Sequence, residues 1–119
     1  MLFRSLFTIR CHSNISQARR LTDTNLERQL YRIAQEAAYN AAKHSRGRHI
    51  WIRLRQSKHW LTLTIKDDGV GISESRLQTH DLGLNIMRYR AGLIRATLTL
   101  DTQRGHGTTV TCKLKSPPP

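Results

Sequence analysis

Four polar residues recur with helical spacing in the first half of the chain. Glu36, Asn40, Lys43 and His44 stand at offsets of 0, 4, 7 and 8, so in an α-helix they would share an arc of about 100°. An amide oxygen can ligate a hard cation such as Mg²⁺, an ammonium can meet phosphate oxygens, and a carboxylate can orient water or polarise a nucleophile. The pattern predicts a metal and phosphate face, although a solvated helix face with a charge pair would have the same spacing.

Glycine-containing motifs follow in the second half. The segment Asp67-Asp-Gly-Val-Gly71 comes directly after a predicted strand, where glycines let backbone approach a ligand and an aspartate can accept a hydrogen bond from a ligand amine. A plain turn has the same composition. Gly83 opens a second periodic segment, whose first amides could bind an anion or simply begin a helix. Gly105-His-Gly-Thr-Thr109 is predicted to be a hairpin turn.

Hydrophobic periodicity supplies the elements that would position these motifs. The capping-box sequence Thr24-Asn-Leu-Glu27 predicts a helix start, and an apolar stripe continues to Ser45-Arg-Gly47, where glycine can close the helix. A two-residue alternation marks strands, and the strands at 49–55 and 60–66 should form a hairpin with one covered and one wet side. In chain order we expect a strand around 6–11, a helix over 24–45, strands over 49–55 and 60–66, an irregular loop over 67–81, a helix from 83, and strands around 98–100 and 110–114. This order predicts an α+β fold: a two-layer sandwich with helices on one face of a mixed or antiparallel sheet.

Size and charge narrow the classes of function. The 119 residues fit one domain, residues 1–119, and exclude a multi-domain enzyme. Twenty Lys and Arg against eight Asp and Glu give a net charge of +12, which favours nucleotide phosphates, polyanions or an acidic partner without choosing among them. Cys11 and Cys112 are too far apart in sequence for a zinc motif, and we expect reduced thiols in the cytoplasm.

Taken together, the motifs resemble the histidine kinase-like ATPase fold that sensor histidine kinases, gyrase-type topoisomerases and Hsp90-type chaperones share. The resemblance covers nearly the whole chain and is most specific for the catalytic and ATP-binding domain of sensor histidine kinases of the nitrate-sensor subgroup. The segment Leu30-Tyr-Arg-Ile-Ala-Gln-Glu-Ala37, continued to His44, resembles that subgroup's asparagine box. Segments 67–71, 82–91 and 105–109 resemble its two glycine boxes and its final glycine-threonine element.

The resemblance implies a role for each matching residue. Asn40 would ligate Mg²⁺, Lys43 and His44 would approach the phosphates of ATP, and Glu36 would be the acidic residue beside the reacting centre. Asp67 would accept a hydrogen bond from the adenine amino group. Gly69 and Gly71 would line the base pocket. Leu82, Gly83 and Leu84 would close a mobile lid over residues 72–82, and Thr108 would lie near the base or its bound water. Residues 115–119 would form a tail.

Three positions depart from the family pattern. Asp81 stands where a glycine is usual and adds negative charge to the lid, which predicts weaker ATP affinity. Tyr89 replaces a common acid and Arg95 a common glycine, so the second helix is expected to end differently. The pair His80-Asp81 mimics a phosphoacceptor motif, but only one helix follows it, and we assign His80 to the lid.

These features predict a cytoplasmic histidine protein kinase domain that transfers the γ-phosphoryl group of Mg-ATP to a histidine on a dimerisation domain. That domain is absent from the sequence, so the chain alone should bind ATP and scarcely transfer phosphate. A response regulator would be an indirect partner, and no specific nucleic acid or membrane contact is expected. One alternative is a serine kinase of the anti-sigma-factor type. Another is a basic nucleic-acid-binding module with a vestigial pocket, for which Trp51 and Trp60, near Arg53 and Arg55, are the candidates.

Overall fold

The computed structural model describes residues 10–14, 24–73 and 82–116. The elements in chain order are β1 (Arg10–Asn14), α1 (Thr24–Asn40), a π-helical segment (Ala41–Ser45), β2 (His49–Gln56), β3 (Trp60–Asp67), α2 (Leu82–Leu93), β4 (Thr97–Gln103) and β5 (Gly107–Lys115). The first strand was predicted around residues 6–11, of which residues 6–9 lie outside the described ranges. Within those ranges, no helix has the length and apolar composition needed to cross a bilayer.

The five strands form one mixed sheet in the order β1-β2-β3-β5-β4. Strand β1 pairs in parallel with β2, and the other neighbours are antiparallel, including the predicted β2–β3 and β4–β5 hairpins. Helices α1 and α2 pack on each other and on one face of this sheet. The predicted α+β sandwich is therefore confirmed.

Alternation within the strands separates a buried inner face from an open outer face. Ile50, Ile52 and Leu54 of β2 and Leu61, Leu63 and Ile65 of β3 are buried under the helices, as predicted. The apolar stripe of α1 and the first residue of the π-helical segment covers them and is itself buried (Leu26, Leu30, Ile33, Ala37 and Ala41). The intervening strand residues lie on the other side, which we call the outer face and which no described element covers.

The end of α1 differs from the prediction. The α-helix stops at Asn40 and continues as the π-helical segment, whose hydrogen bonds span one more residue. The left-handed residue that follows is Arg46, with φ of 57°, so the expectation that glycine closes this helix is wrong. The expected arc of four polar residues assumes the α-helical rotation of about 100° per residue. This rotation applies up to Asn40 but not to Lys43 and His44.

Helix α2 ends in a Schellman motif. Ala96 N donates to Ala91 O at 2.9 Å and Arg95 N donates to Gly92 O at 3.2 Å. Arg95 has φ of 55°, the left-handed conformation that glycine adopts most easily at this position. The chain therefore makes with arginine the turn that glycine usually makes.

Candidate functional site

A cleft opens where the end of α1 and the start of α2 meet strands β3 and β5. It contains five of the residues proposed from sequence, namely Asn40, Asp67, Gly71, Leu84 and Thr108. Its other lining residues were not singled out as site residues from sequence, and they are Ala37, Ala41, Ile65, Ile72, Met87, Leu100 and Val110. The cleft thus has apolar walls and a few convergent polar groups, which is typical of a small-molecule site.

Asp67 is the buried carboxylate of this cleft. It ends β3, is 5% exposed, and its Oδ1 accepts a hydrogen bond from Gly69 N at 2.8 Å. Burial raises the pKa of Asp67, while backbone hydrogen bonds from Gly69 and Thr108 oppose the rise and the nearby charge of Asp68 adds to it. A buried acceptor beside apolar walls favours a ligand that brings its own N–H donor.

Asp68 has a different role, although it is the next residue. It is exposed, and its Oδ1 accepts hydrogen bonds from Arg48 N at 2.8 Å and His49 N at 2.9 Å. Partial burial would raise its pKa, but these backbone hydrogen bonds outweigh burial and lower it. Asp68 therefore anchors the start of β2, and Asp67 alone of the pair faces the cleft.

Glu36 and Asn40 meet the first turn of α2 at Gly83. A Cβ atom at Gly83 would lie 2.6 Å from Glu36 Oε1 and 2.7 Å from Asn40 Nδ2, both closer than a real Cβ contact. Only glycine lets the backbone of α2 approach these two side chains without displacing them. The structure thus brings Glu36, Asn40 and Gly83 together at one place.

Lys43 lies outside the cleft lining. Its side chain is exposed, and Nζ stands 5.9 Å from the centroid of the Tyr39 ring. The side chains of His44 and Leu82 lie outside the described residues, as do His80 and Asp81 and most of the predicted lid, residues 74–81.

Thr102 is a site residue that sequence reasoning missed. Its Oγ1 accepts a hydrogen bond from Ile72 N at 2.8 Å and lies 3.0 Å from Thr108 Oγ1. Nearby, Gly105 N donates to Val70 O at 2.9 Å. The loop after β3 is thus tied to the β4–β5 turn. Centring that turn on residues 104–106 would have placed Thr102 opposite Thr108, as observed.

The donor set of the cleft fits a hard cation held largely by its ligand. Among the described residues there is no group of three His, Cys, Asp or Glu side chains that could hold a metal by themselves. Glu36 and Asn40 offer oxygen atoms at one place beside Gly83. Mg²⁺ commonly binds through one or two protein oxygens together with substrate phosphates and water.

Comparison with known sequences gives one matching family and several relatives. The family described as "Histidine kinase-, DNA gyrase B-, and HSP90-like ATPase" matches residues 25–118. The signal transduction histidine-protein kinase/phosphatase DegS of Bacillus subtilis (strain 168) is 36% identical over 88 residues, covering 71% of this chain and 23% of DegS. The nitrate/nitrite sensor protein NarX of Escherichia coli (strain K12) is 32% identical over 91 residues, covering 76% of this chain and 15% of NarX. The chain thus spans less than a quarter of the length of these relatives.

Two solved structures that share this fold are also histidine kinases by name. The mycobacterial sensor histidine kinase MprB superposes with a TM-score of 0.72 at 23% identity, covering 98% of this chain and 88% of that one. The histidine kinase domain of a blue-light activated kinase from Erythrobacter litoralis EL346 gives a TM-score of 0.72 at 24% identity, covering 93% of this chain and 52% of that one. At these identities the likeness concerns the fold.

Proposed function

The chain belongs to the histidine kinase-, DNA gyrase B- and HSP90-like ATPase family, and on this basis we propose that it is the ATP-binding catalytic domain of a two-component sensor histidine kinase. Family membership confirms the resemblance predicted from the order of the four motifs. The observation that carries the proposal is the buried Asp67 carboxylate in an apolar cleft that also contains Asn40.

Asp67 is proposed to select adenine. Its carboxylate can accept a hydrogen bond from the adenine amino group, whereas guanine presents a carbonyl oxygen at the same position. Two acceptors would then face each other with neither satisfied, and an unpaired buried group costs about 1–3 kcal/mol. Gly69 N donates to this carboxylate, and Gly71 and Thr108 line the same cleft. All three are proposed to contact the base or its bound water.

Asn40 is proposed to hold Mg²⁺, with Glu36 beside the reacting centre. When bound, the ion would neutralise charge on the β- and γ-phosphates. Lys43 and His44 are proposed to approach the phosphates, and Lys43 would reach them by leaving the ring of Tyr39. Residues 72–82, with Leu82, Gly83 and Leu84 at the start of α2, are proposed to close over the nucleotide.

The phosphoryl acceptor is proposed to be a histidine on a dimerisation domain, with a response regulator downstream in the cytoplasm. DegS and NarX are by name a histidine kinase/phosphatase and a nitrate/nitrite sensor, which favours a histidine over a serine acceptor. We expect the 119-residue chain to show negligible self-phosphorylation and to label a dimerisation hairpin from a relative added in trans. Acid-labile label on the chain alone that His80→Ala removes would contradict this assignment.

Competition between ATP and GTP tests the proposed base site. Both nucleotides would displace a fluorescent ADP analogue from the unaltered chain, and ATP should be preferred by at least about tenfold. Asp67→Asn should weaken ATP binding and reduce the preference, because an amide can donate as well as accept. Asp68→Asn is the matched control, since its oxygen can still accept from Arg48 N and His49 N. Loss of discrimination in Asp68→Asn, or its retention in Asp67→Asn, would refute the assignment.

A further inference from the structure

The outer face of the sheet is strongly basic. Five exposed bases lie on it, namely Arg53, Arg55, Lys66, Lys113 and Lys115, and Asp101 on β4 is the one acid among its described strand residues. The nucleotide cleft opens on the other side of the sheet. This charge is therefore available to a second, anionic partner, whose approach it would accelerate.

Both tryptophans of the chain also lie on this face. Trp51 is 39% exposed and Trp60 is 43% exposed. Trp51 pairs across the strands with Lys66, and Lys113 Nζ lies 4.5 Å from the centroid of the Trp60 ring. Trp60 is thus held beside a cation at the surface, and Trp51 has a lysine as its cross-strand neighbour.

Trp51 and two histidines form a layer of three nearly parallel rings. The ring centroids of His12, His49 and Trp51 are 5.1, 5.8 and 5.5 Å apart, and their planes differ by 19–24°. Three parallel rings stacked in a column would place the outer two about twice as far apart as neighbours, so equal separations mean that the rings lie partly side by side. The contact of His12 Nε2 with His49 Nδ1 at 2.9 Å joins ring edges and agrees with this layer.

We propose that the outer face binds single-stranded nucleic acid without sequence selectivity. Lys66, the partner of Trp51, is six positions along β3 from Trp60, which places the two aromatic sites about 20 Å apart at about 3.3 Å per residue. Arg53 and Arg55 lie between them on the same face. Unpaired bases would stack on the His12–His49–Trp51 layer and on Trp60, and the phosphates would pair with the arginines and lysines. Exposed aromatic rings favour this ligand over an acidic peptide or a duplex, because neither offers flat ring faces for stacking.

Tryptophan fluorescence tests the proposal in the unaltered chain, since both tryptophans are on the outer face. An oligothymidylate of about twelve nucleotides should quench the emission, and the anisotropy of a labelled strand should rise. An abasic strand with the same number of phosphates should bind at least about fivefold more weakly and leave the emission unchanged. Saturating Mg-ADP should not displace the oligonucleotide, because the cleft is on the opposite side of the sheet.

Variants locate the binding site. Trp60→Leu, which keeps an apolar side chain and removes the ring, should weaken oligothymidylate binding at least about fivefold. Tyr89→Leu on α2, where Tyr89 is 69% exposed, is the matched control and should bind normally. Circular dichroism melting shows whether each variant folds. If Trp60→Leu fails to fold, the quenching experiment on the unaltered chain tests the proposal by itself. Equal affinity for the abasic strand, tighter binding of polyglutamate, displacement by Mg-ADP, or an equal loss in Tyr89→Leu would each overturn the proposal.

Discussion

Replacing Gly83 with alanine should weaken the binding of Mg-ATP and leave the stability of the fold nearly unchanged. The new Cβ would lie 2.6 Å from Glu36 Oε1 and 2.7 Å from Asn40 Nδ2, so these atoms must retreat by about 0.8 and 0.7 Å to reach ordinary contact at 3.4 Å. Both atoms are ends of flexible side chains, so the strain is small. Alanine also favours a helix over glycine by up to about 1 kcal/mol. We therefore expect the free energy of unfolding to change by less than about 1 kcal/mol.

Nucleotide binding should respond much more strongly to the same change. Metal ligands tolerate displacements of about 0.2 Å, so if Asn40 holds Mg²⁺ as proposed, the displaced side chain could no longer ligate it. We expect the affinity for Mg-ATP to fall at least about tenfold, which corresponds to about 1.4 kcal/mol. Metal-free ADP should lose little, because the substitution leaves the proposed base contact of Asp67 unchanged.

Gly92→Ala in the same helix is the matched control. A Cβ at Gly92 would meet no atom within 4 Å, so this variant should bind Mg-ATP normally and gain up to about 1 kcal/mol in stability. Isothermal calorimetry with Mg-ATP and with ADP in EDTA, together with urea unfolding, measures both quantities. Normal Mg-ATP affinity in Gly83→Ala, or equal losses for both nucleotides, would refute the metal role assigned to Asn40.

Four further predictions concern stability and reactivity. Burial raises the pKa of Asp67, so the folded state favours the protonated carboxyl. The free energy of unfolding of the unaltered chain, measured with urea relative to Asp67→Asn, should therefore decrease as pH rises above 3.8. The pKa of Asp68 is lowered, so stability relative to Asp68→Asn should instead increase as pH rises towards 3.8, and equal slopes would contradict both assignments. Cys112 is fully buried, and burial raises its pKa to about 11. In a Cys11→Ser chain, a thiol reagent at pH 8 should therefore label Cys112 only as fast as the protein unfolds. Rapid labelling under native conditions would contradict its burial. Arg95→Gly should raise the free energy of unfolding by about 0.5–1 kcal/mol, because glycine adopts the left-handed conformation without strain; a loss of stability would show that the arginine side chain stabilises the turn.

Side-chain alternation made the sheet and its buried carboxylate predictable. Every second residue of β2 and β3 is buried, as their patterns indicated. The same parity assigns Asp67 to the inner face with Ile65 and leaves Asp68 outside. Local sequence was sufficient here because a strand has only two sides.

Features that depend on backbone hydrogen bonding could not be predicted in this way. The π-helical segment has the same apolar stripe as an α-helix up to Ala41, so periodicity did not reveal it. The parallel pairing of β1 with β2 joins segments far apart in sequence. Thr102 acts through a cross-strand hydroxyl pair and a loop amide, which become visible only once the register of the β4–β5 hairpin is known.

The π-helical segment also bears on how this domain tolerates insertions and deletions. A π-helical hydrogen bond spans one residue more than an α-helical one, so the wider turn absorbs one extra residue. Deleting one residue from segment 41–45 would let α1 continue as a regular α-helix, and the chain beyond it would leave in nearly the same direction. The amides of Arg48 and His49 should then stay close to Asp68 and keep their hydrogen bonds. A deletion within β2 would instead move its apolar side chains to the outer face, because strand side chains alternate. We therefore expect the loss of one residue to be tolerated better in the π-helical segment than in the strand that it precedes.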